Sequence, residues 1–536
     1  MSALSPILDR NGRPYARPAP AAERFGALGR TFRGADPISQ ELGGWRPGLT
    51  SPAGEMWGER DPLVARVQDI ARNNGYASGI KQTLVDSVIG ANWRLRARPN
   101  WRVLGIDFKT SLEWASMVEA KWRSHAEDPG CWIDAARRQR HGGLLRSRFI
   151  SWFLSGEHCA IAKWLPDRVG PGRARYATAL QLIDSDRLSS PNGAPESPTL
   201  RQGVELGTHG EPLAYWFRDA HPADWANAMQ AATWTRVPRE TAWGRPLVLH
   251  GYEVERDGQV RGKPPMAAIV ETLRLEDVYG RTEAVQQILN SMYAATLETE
   301  FGSMDPETFE SIFGKDKDTG SLNMPSVEMT LRGVKVPDLP PGKRLKFNSL
   351  NRSGSNFAEF EKAMLRRVSA GAGLSYEQVS KDYSDSNYSS SRAAFAEAWK
   401  FMTGKSSFMA ATAADHDYAL WLEEAINIGD VELPPGSVDF YERKADWSAC
   451  RWIGPGKGYV DEVKEVQASQ MKINVGLSTL EEETASQGAD WLENLEQLAY
   501  EQAEKERLGI KDDPKAVYQV NSGGGDQPPA KKKNEE

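Results

Sequence analysis

A helical pattern from residue 264 to about 300 constrains this chain more than any other feature. At 1.5 Å per residue such a helix would reach ~55 Å, beyond the length usual in globular domains. Its first stripe is Met266, Ile269, Val270 and Leu273, and its last is Val285, Ile288, Leu289, Met292 and Tyr293. Glu276, Asp277, Arg281 and Glu283 make the middle wetter. That mixture suits a helix packed against sister copies better than one buried in a single core. A second helical segment returns from 355 to about 373 and meets a polar loop, Asp382-Tyr-Ser-Asp-Ser-Asn-Tyr-Ser-Ser-Ser391. Between the two arms, 301–350 loses the helical period. Pro325, Pro337, Pro340 and Pro341 punctuate short strands such as 326–331. Two arms with a small lobe between them make a spoke, and spokes cover one another's flanks in a ring of identical copies.

With 536 residues the chain has room for several compact units. Hydrophobic content of 40% and charged content of 26% predict a folded, soluble protein. The longest apolar runs, such as Phe149-Ile-Ser-Trp-Phe-Leu154, are far too short to cross a membrane. The start, Met1-Ser-Ala-Leu-Ser-Pro, lacks the basic-then-apolar layout of a signal peptide. Cys131, Cys159 and Cys450 stand alone, with neither metal-type nor disulfide spacing, and read as buried free thiols. A net charge of −7 argues against binding nucleic acid by bulk charge.

Residues 1–55 are rich in Pro, Gly, Ala and Arg without a sustained period and read as a mobile arm. Order is expected from Asp61-Pro62, a cap followed by a helix-starting proline. A second helix carries Tyr76, Ile80, Leu84 and Val88 on one face. Trp93, Leu95 and Ala97 then alternate with Arg94, Arg96 and Arg98, which predicts a half-buried strand with a basic outer face. Thr110 and Glu113 read as a capping box, a further helix as 135–154, and strands as 158–165, 179–183, 213–218 and 247–252. Helices followed by strands with long loops define an α+β unit. Beyond the polar loop, Ser391 is expected to cap a helix bearing Phe395, Ala398, Trp399 and Met402. The C-terminal part reads as three capped helices: about 460–475, one opened by Thr479 with Glu482, and one opened by Asp490 with Glu493 that ends at Gly509. Residues 514–536 read as a disordered tail.

No constellation of residues demands covalent chemistry. Gly454-Pro-Gly-Lys-Gly458 lacks the Ser or Thr and the spacer of a phosphate loop and reads as a turn. His141-Gly-Gly143 has no Gly-x-Ser-x-Gly elbow to accompany it. His158 and Cys159 are adjacent, so on a strand they face opposite ways. Asp184 and Asp186 read as a turn or solvated edge. Arg137, Arg138, Arg140, Arg146 and Arg148 form the densest basic cluster, part of which is expected to pair with acids. Catalytic, cofactor-binding and metal-binding residues are therefore expected to be none.

A collinear series of strings runs from about 55 to 505. It comprises Arg72-Asn-Asn-Gly-Tyr-Ala77, Arg98-Pro-Asn-Trp-Arg-Val-Leu-Gly105, Met292-Tyr-Ala-Ala-Thr-Leu-Glu-Thr-Glu300, Gly373-Leu-Ser-Tyr-Glu-Gln378, Trp421-Leu-Glu-Glu-Ala-Ile426 and Gly476-Leu-Ser-Thr479. The series resembles the portal proteins of phage lambda and its relatives. The resemblance implies a portal fold: a basic arm over 1–55, an α+β wing over 56–263, a stem helix over 264–300 and a clip over 301–350. A returning stem helix over 351–375, a channel loop over 376–391, a long helix and return to the wing over 392–455, a helical crown over 456–509 and a tail over 510–536 complete it. It also implies a closed ring of about twelve copies at a capsid vertex, assembled in the host cytoplasm, through which double-stranded DNA passes. The implied partners are the terminase large subunit, the major capsid protein or scaffold, and head-completion proteins. Lys381, Asn387, Tyr388, Ser389 and Arg392 are expected to face the channel and its DNA. Lys343 and Arg344 in the clip are expected to dock the motor. The rival readings are a smaller ring adaptor at the same junction, or an enzyme that processes nucleic acid.

Overall fold

The computed structural model describes residues 44–45, 47–297, 330–331, 334–335, 355–384, 388–458 and 461–510. The N-terminal arm, most of the lobe over 301–350 and the tail lie outside the described residues. The chain divides into two compact units, Met1–Glu55 and Met56–Glu536. In the first, Trp45 and Leu49 are exposed; the second holds the architecture.

Helices α1 (Arg60–Asn73) and α2 (Gly75–Val88) meet at Asn74, whose side chain accepts from the Ala77 amide and caps α2. The spacing Ile80, Leu84, Val88 buries one face of α2, as the sequence pattern requires. Strand β1 (Arg94–Ala97) follows, then α3 (Phe108–Ala126) and α4 (His141–Ser155). Strands β2 (Glu157–Trp164), β3 (Thr178–Ile183), β4 (Leu200–Arg201), β5 (Val204–Leu206), β6 (Pro212–Arg218), β7 (Trp234–Pro238) and β8 (Val248–Tyr252) come next. They form two antiparallel sheets, ordered β3-β2-β8 and β4-β5-β6-β7. Cys159 sits at the centre of the first, opposite Ile183 on one side and His250 on the other.

The first arm begins with a 3₁₀ turn, Pro265–Ala268, and continues as α5 (Val270–Leu297). Its 28 described residues span ~42 Å at 1.5 Å each; the helix starts later than expected because the prolines hold the first residues out of it, and residues 298–300 lie outside the described residues. A short hairpin, β9 (Thr330–Leu331) with β10 (Val334–Lys335), is described within the lobe. The return arm is α6 (Ser355–Ala372), followed by α7 (Tyr376–Ser380) and α8 (Tyr388–Met409). A π-turn, Ala410–Ala414, joins α8 to α9 (Asp415–Asn427). Strand β11 (Cys450–Ile453) pairs antiparallel with β1, and α10 (Glu462–Asn474), α11 (Leu480–Ser486) and α12 (Trp491–Leu508) follow.

Two apolar clusters hold the second unit together. One packs Val67, Ile80, Leu84, Phe149 and Trp152 against the arm roots, Met266, Ile269, Leu273, Leu365 and Val368, and against Met402 and Met409 of α8. The other packs α3 against α9 through Trp114, Val118, Trp122, Tyr418, Trp421 and Trp447. Trp122 is its hub, with ring centroids 5.0 Å from His141, 5.4 Å from Trp421 and 5.9 Å from Tyr418. The geometries are edge-on, the favoured arrangement for aromatic quadrupoles.

Several helix starts differ from the sequence reading. Helix α1 starts at Arg60, with Asp61 inside its first turn and not capping it, because Arg60 is drawn into the interior by Glu157 at 2.8 Å. Asp107, not Thr110, caps α3; its carboxylate accepts from the Lys109 and Thr110 amides. Helix α4 starts at His141 and not at 135. The Asp134 carboxylate accepts amides from Ala136, Arg138 and Gln139 and holds the intervening residues as a loop. Helix α8 starts at Tyr388, so Ser391 lies within it and not at its cap. The basic outer face predicted for β1 is left to solvent only in part, since Arg94 and Arg98 are about half exposed. Arg96 is buried, 3.0 Å from Glu119, and acids of the C-terminal helices pair with the rest. Of the thiols, Cys159 is buried whereas Cys131 and Cys450 are half-buried.

Candidate channel loop and assembly surfaces

Arms α5 and α6 pack together at their roots. Leu273 on α5 and Met364, Leu365 and Val368 on α6 are buried. Further out, Tyr279 lies over Phe357 with centroids 5.7 Å apart and meets Phe360 at 4.5 Å. Beyond the root the flank of α5 is open: Leu275, Val278, Val285 and Ile288 are exposed. At 100° per residue these four positions fall within about 140° on one side of α5, an apolar stripe that α6 leaves exposed. The side chains of Leu289, Met292 and Tyr293 lie outside the described residues.

The polar loop is shorter than expected. Ser375 and Gln378 form a capping box that starts α7, so helix intrudes at one end, and α8 intrudes at the other. Lys381 ends α7 in the left-handed conformation, φ 59°, and its Nζ donates to Thr83 Oγ1 at 2.9 Å. Asp382 accepts from the Ser384 amide and hydroxyl, and these bonds hold its carboxyl below the ordinary range. Tyr388 and Ser389 belong to the first turn of α8, not to the loop. Arg392 is exposed on α8, and its charge adds to that of Lys464 in holding the Asp461 carboxyl low. Asn387, Lys343 and Arg344 lie outside the described residues. Lys381 and Arg392 are both exposed, on either side of residues 385–387, which lie outside the described residues.

The model of the phage portal proteins of the lambda family matches residues 39–405. The portal protein of Escherichia phage N15 is 34% identical over 508 residues, covering 92% of this chain and 93% of that one. Portal protein B of Escherichia phage lambda is 32% identical over 500 residues, 91% and 92% of the two chains. This chain belongs to the lambda family of phage portal proteins. Portal proteins are structural components of phage particles, in which they form oligomeric rings. Among solved structures, the neck of an empty gene-transfer-agent particle matches with a TM-score of 0.40 at 14% identity, covering 81% of this chain and 95% of that one.

For a portal protein the motifs that invite enzymology take structural roles. The 454–458 turn follows β11, and the Lys457 amide donates to Ser486 O at 3.0 Å, tying the turn to α11. His141 Nε2 lies 3.2 Å from the Asp417 carboxylate, which also takes Arg148 Nη1 at 3.0 Å through both oxygens; the buried trio pins α4 to α9. Arg148 thereby leaves the surface cluster. Arg146 pairs with Asp86 at 2.9 Å, and Arg137 stacks over Trp132 at 3.5 Å. On β2, His158 Nε2 reaches Thr412 Oγ1 at 3.0 Å, and burial pushes the Cys159 thiol well up, away from the nucleophilic thiolate.

Asp184, Asp186 and His221 bring ligand-type atoms within 4.8 Å of one another. Their surroundings disfavour a cation. Arg60 lies 3.8 Å from Asp186, and Gln68 Nε2 donates to the same carboxylate at 3.2 Å. His221 Nδ1 accepts the Ala223 amide at 3.1 Å, which leaves the proton of a neutral ring on Nε2, facing Asp186. The solvated-edge reading of these acids fits that pattern. Among the described residues no helix is long and apolar enough to cross a membrane.

Sequence reasoning missed the carboxylate–arginine cluster at β1. Arg96 meets Glu119, Glu481 and Asp490 at 3.0, 3.7 and 3.6 Å. The alternation of arginines along β1 was the available signal, but apart from Glu119 their partners lie several hundred residues downstream.

Proposed function

We propose that this chain forms a closed ring of about twelve copies at one capsid vertex, through which double-stranded DNA is packaged and later ejected. Arms α5 and α6 act as the stem, packed between neighbouring copies. The lobe over 301–350 is the clip; it docks the terminase large subunit, with Lys343 and Arg344 on the docking face. The loop between α7 and α8 and the start of α8, with Lys381, Asn387, Tyr388, Ser389 and Arg392, face the channel and touch DNA weakly. Hydroxyls exchange hydrogen bonds with passing phosphates at about 0.5–1.5 kcal/mol each, whereas a row of arginines would hold on. Residues 456–509 form the crown. The ring also meets the major capsid protein or scaffold and, later, head-completion proteins. It works without covalent chemistry, so the ATPase is a partner. Assembly takes place in the host cytoplasm.

The observation that carries this reading is the collinear similarity to two phage portal proteins over nine-tenths of the chain. The same coverage argues against a smaller adaptor. Imaging of the purified protein tests it: rings with an axial hole and no ATP hydrolysis are expected. Monomers that cleave DNA in divalent cations would overturn it. For the loop, a cysteine placed at Asn387 should crosslink to DNA caught in mid-packaging, while wing-surface controls should not.

A further inference from the structure

Strand β1 sends Leu95 and Ala97 into the core and Arg94, Arg96 and Arg98 to the opposite face. At about 3.3 Å per residue these arginines stand ~6.6 Å apart in a row, and Arg123 of α3 joins them through a shared partner. The C-terminal helices cover the row. Glu493 of α12 takes Arg94 at 2.7 Å and also Arg123. Glu481 of α11 takes Arg98 and stands 3.7 Å from Arg96. Asp490, the cap of α12, stands 3.6 Å from Arg96. The one carboxylate supplied by the body is Glu119.

The cover is held by charge more than by packing. Among the described residues none of α10 or α12 is buried. Beneath α12 lies a cleft of about 630 Å³, lined by Trp101, Phe108, Leu112, Ala115 and Trp491. The Trp491 indole N–H is buried there without an acceptor, so the seat is not closely packed. The main-chain tie is at the 454–458 turn, where a Cβ on Gly456 would stand 2.4 Å from Gln487 O. Only glycine lets the two backbones approach so closely. A close pivot beside a weakly packed, ion-paired seat is the layout of a hinge with a latch.

We infer that residues 461–510 are a hinged cover over a latent phosphate-binding row, Arg94, Arg96, Arg98 and Arg123, and that duplex DNA opens it by displacing Glu481, Asp490 and Glu493. The choice of DNA as the polyanion rests on the portal reading. Phosphate oxygens offer guanidinium groups the same forked, charge-assisted bonds as carboxylates. The side chains of Arg94, Arg98 and Arg123 are 45%, 46% and 49% exposed, so a phosphate can engage three of the four before the cover moves. Once open, the row carries four guanidinium charges against the single carboxylate of Glu119. Because the cover closes intramolecularly, at high effective concentration, it yields to dense phosphate and not to dilute.

The test titrates the purified full chain with a short random-sequence duplex over a range of salt. Replacing two of the three cover carboxylates, Glu481→Gln with Glu493→Gln, should raise duplex affinity about ten-fold or more and steepen its salt dependence. Adding Arg94→Gln and Arg98→Gln to that variant should return affinity to the wild-type level. Amide exchange should rise in α11 and at the 454–458 turn when duplex is added to the wild type. Unchanged affinity in the double variant, or a gain that survives loss of the arginines, overturns the proposal. Should the double variant unfold, Glu493→Gln alone frees Arg94 and Arg123 and gives a smaller gain by the same logic; no gain there is equally fatal. Ring images are scored on the same samples, so a failed cover and a failed portal reading are told apart.

Discussion

Glu157 and Arg96 each sit at the centre of a cluster of opposite charges, and the two clusters behave differently because one is sealed and the other is not. Glu157 is wholly buried. Arg261 grips it at 2.9 and 3.0 Å through Nε, Arg60 at 2.8 Å, His250 at 3.0 Å and the Gly262 amide at 2.9 Å. Burial alone would raise its carboxyl, but Arg261, Arg60 and His250 together hold it well below the ordinary range. It ties α1, β2, β8 and the approach to α5 into one body. Around Arg96, itself buried, Glu119 belongs to α3 while Glu481 and Asp490 come from the C-terminal helices, and the flanking Arg94 and Arg98 are half exposed. Equal chemistry therefore gives a fixed pin in one place and a breakable contact in the other, since solvent and salt reach only the second.

The largest effect is expected from breaking the sealed cluster. Glu157→Ala leaves two buried guanidinium groups without their anion and should cost about 3–5 kcal/mol, read as a fall in the denaturation midpoint. A loss under about 1 kcal/mol would mean that the cluster is as dispensable as a surface pair.

Glu119 sharpens the comparison through pH. Burial pushes its carboxyl up to about 7, against the pull of Arg96. Between about 4.5 and 7 the folded chain holds a proton that the unfolded chain has lost. Stability should therefore fall as pH rises through that window, by on the order of 2–3 kcal/mol. Glu119→Gln should abolish this slope while leaving the acid limb set by Glu157 in place. That limb has the opposite sign: the depressed Glu157 carboxyl stabilises above its unfolded range, and the gain is lost as pH falls below it. Parallel pH profiles for wild type and Glu119→Gln would contradict the assignment.

Next is the open flank of α5. Val285→Asp should leave the monomer within ~0.5 kcal/mol of wild type, as exposed substitutions do. It should cost about 1–3 kcal/mol per contact wherever a neighbouring copy covers that position. Sizing chromatography should then show folded subunits that fail to form rings, and normal rings would place the arm interface elsewhere. The smallest effect is expected from Arg98→Ala, about 0.2–1 kcal/mol and lost in high salt. A larger, salt-independent cost would mean that the C-terminal seat is a second sealed cluster.

Local signals in the sequence were read well where they act locally. Thr479 accepts from the Glu482 amide, Asp490 accepts from Leu492 and Glu493, and Gly509 closes α12 at φ 71°. Each is a contact within four residues, as is the i, i+4 stripe of α2. The start of α1 was misplaced because its deciding contact, Arg60 with Glu157, depends on where the chain folds back; that of α4 is set by a local contact the reading passed over, Asp134 with three amides two to five residues on. Strands β4, β5 and β7 were missed for a similar reason: they are short or half-exposed, and neighbouring strands carry them.

The sequence by itself determined the two-arm layout, the capped C-terminal helices, the absence of a complete phosphate loop and, through its collinear strings, the family. Each is written in local spacing or in the order of residues. Only the tertiary structure decided that β1 pairs with β11, that Arg96 is buried among acids rather than facing solvent, and that Tyr388 belongs to a helix and not to a loop. The first two rest on contacts across hundreds of residues. Spacing along the chain cannot encode them, because the energy of a buried charge depends on which partners arrive with it.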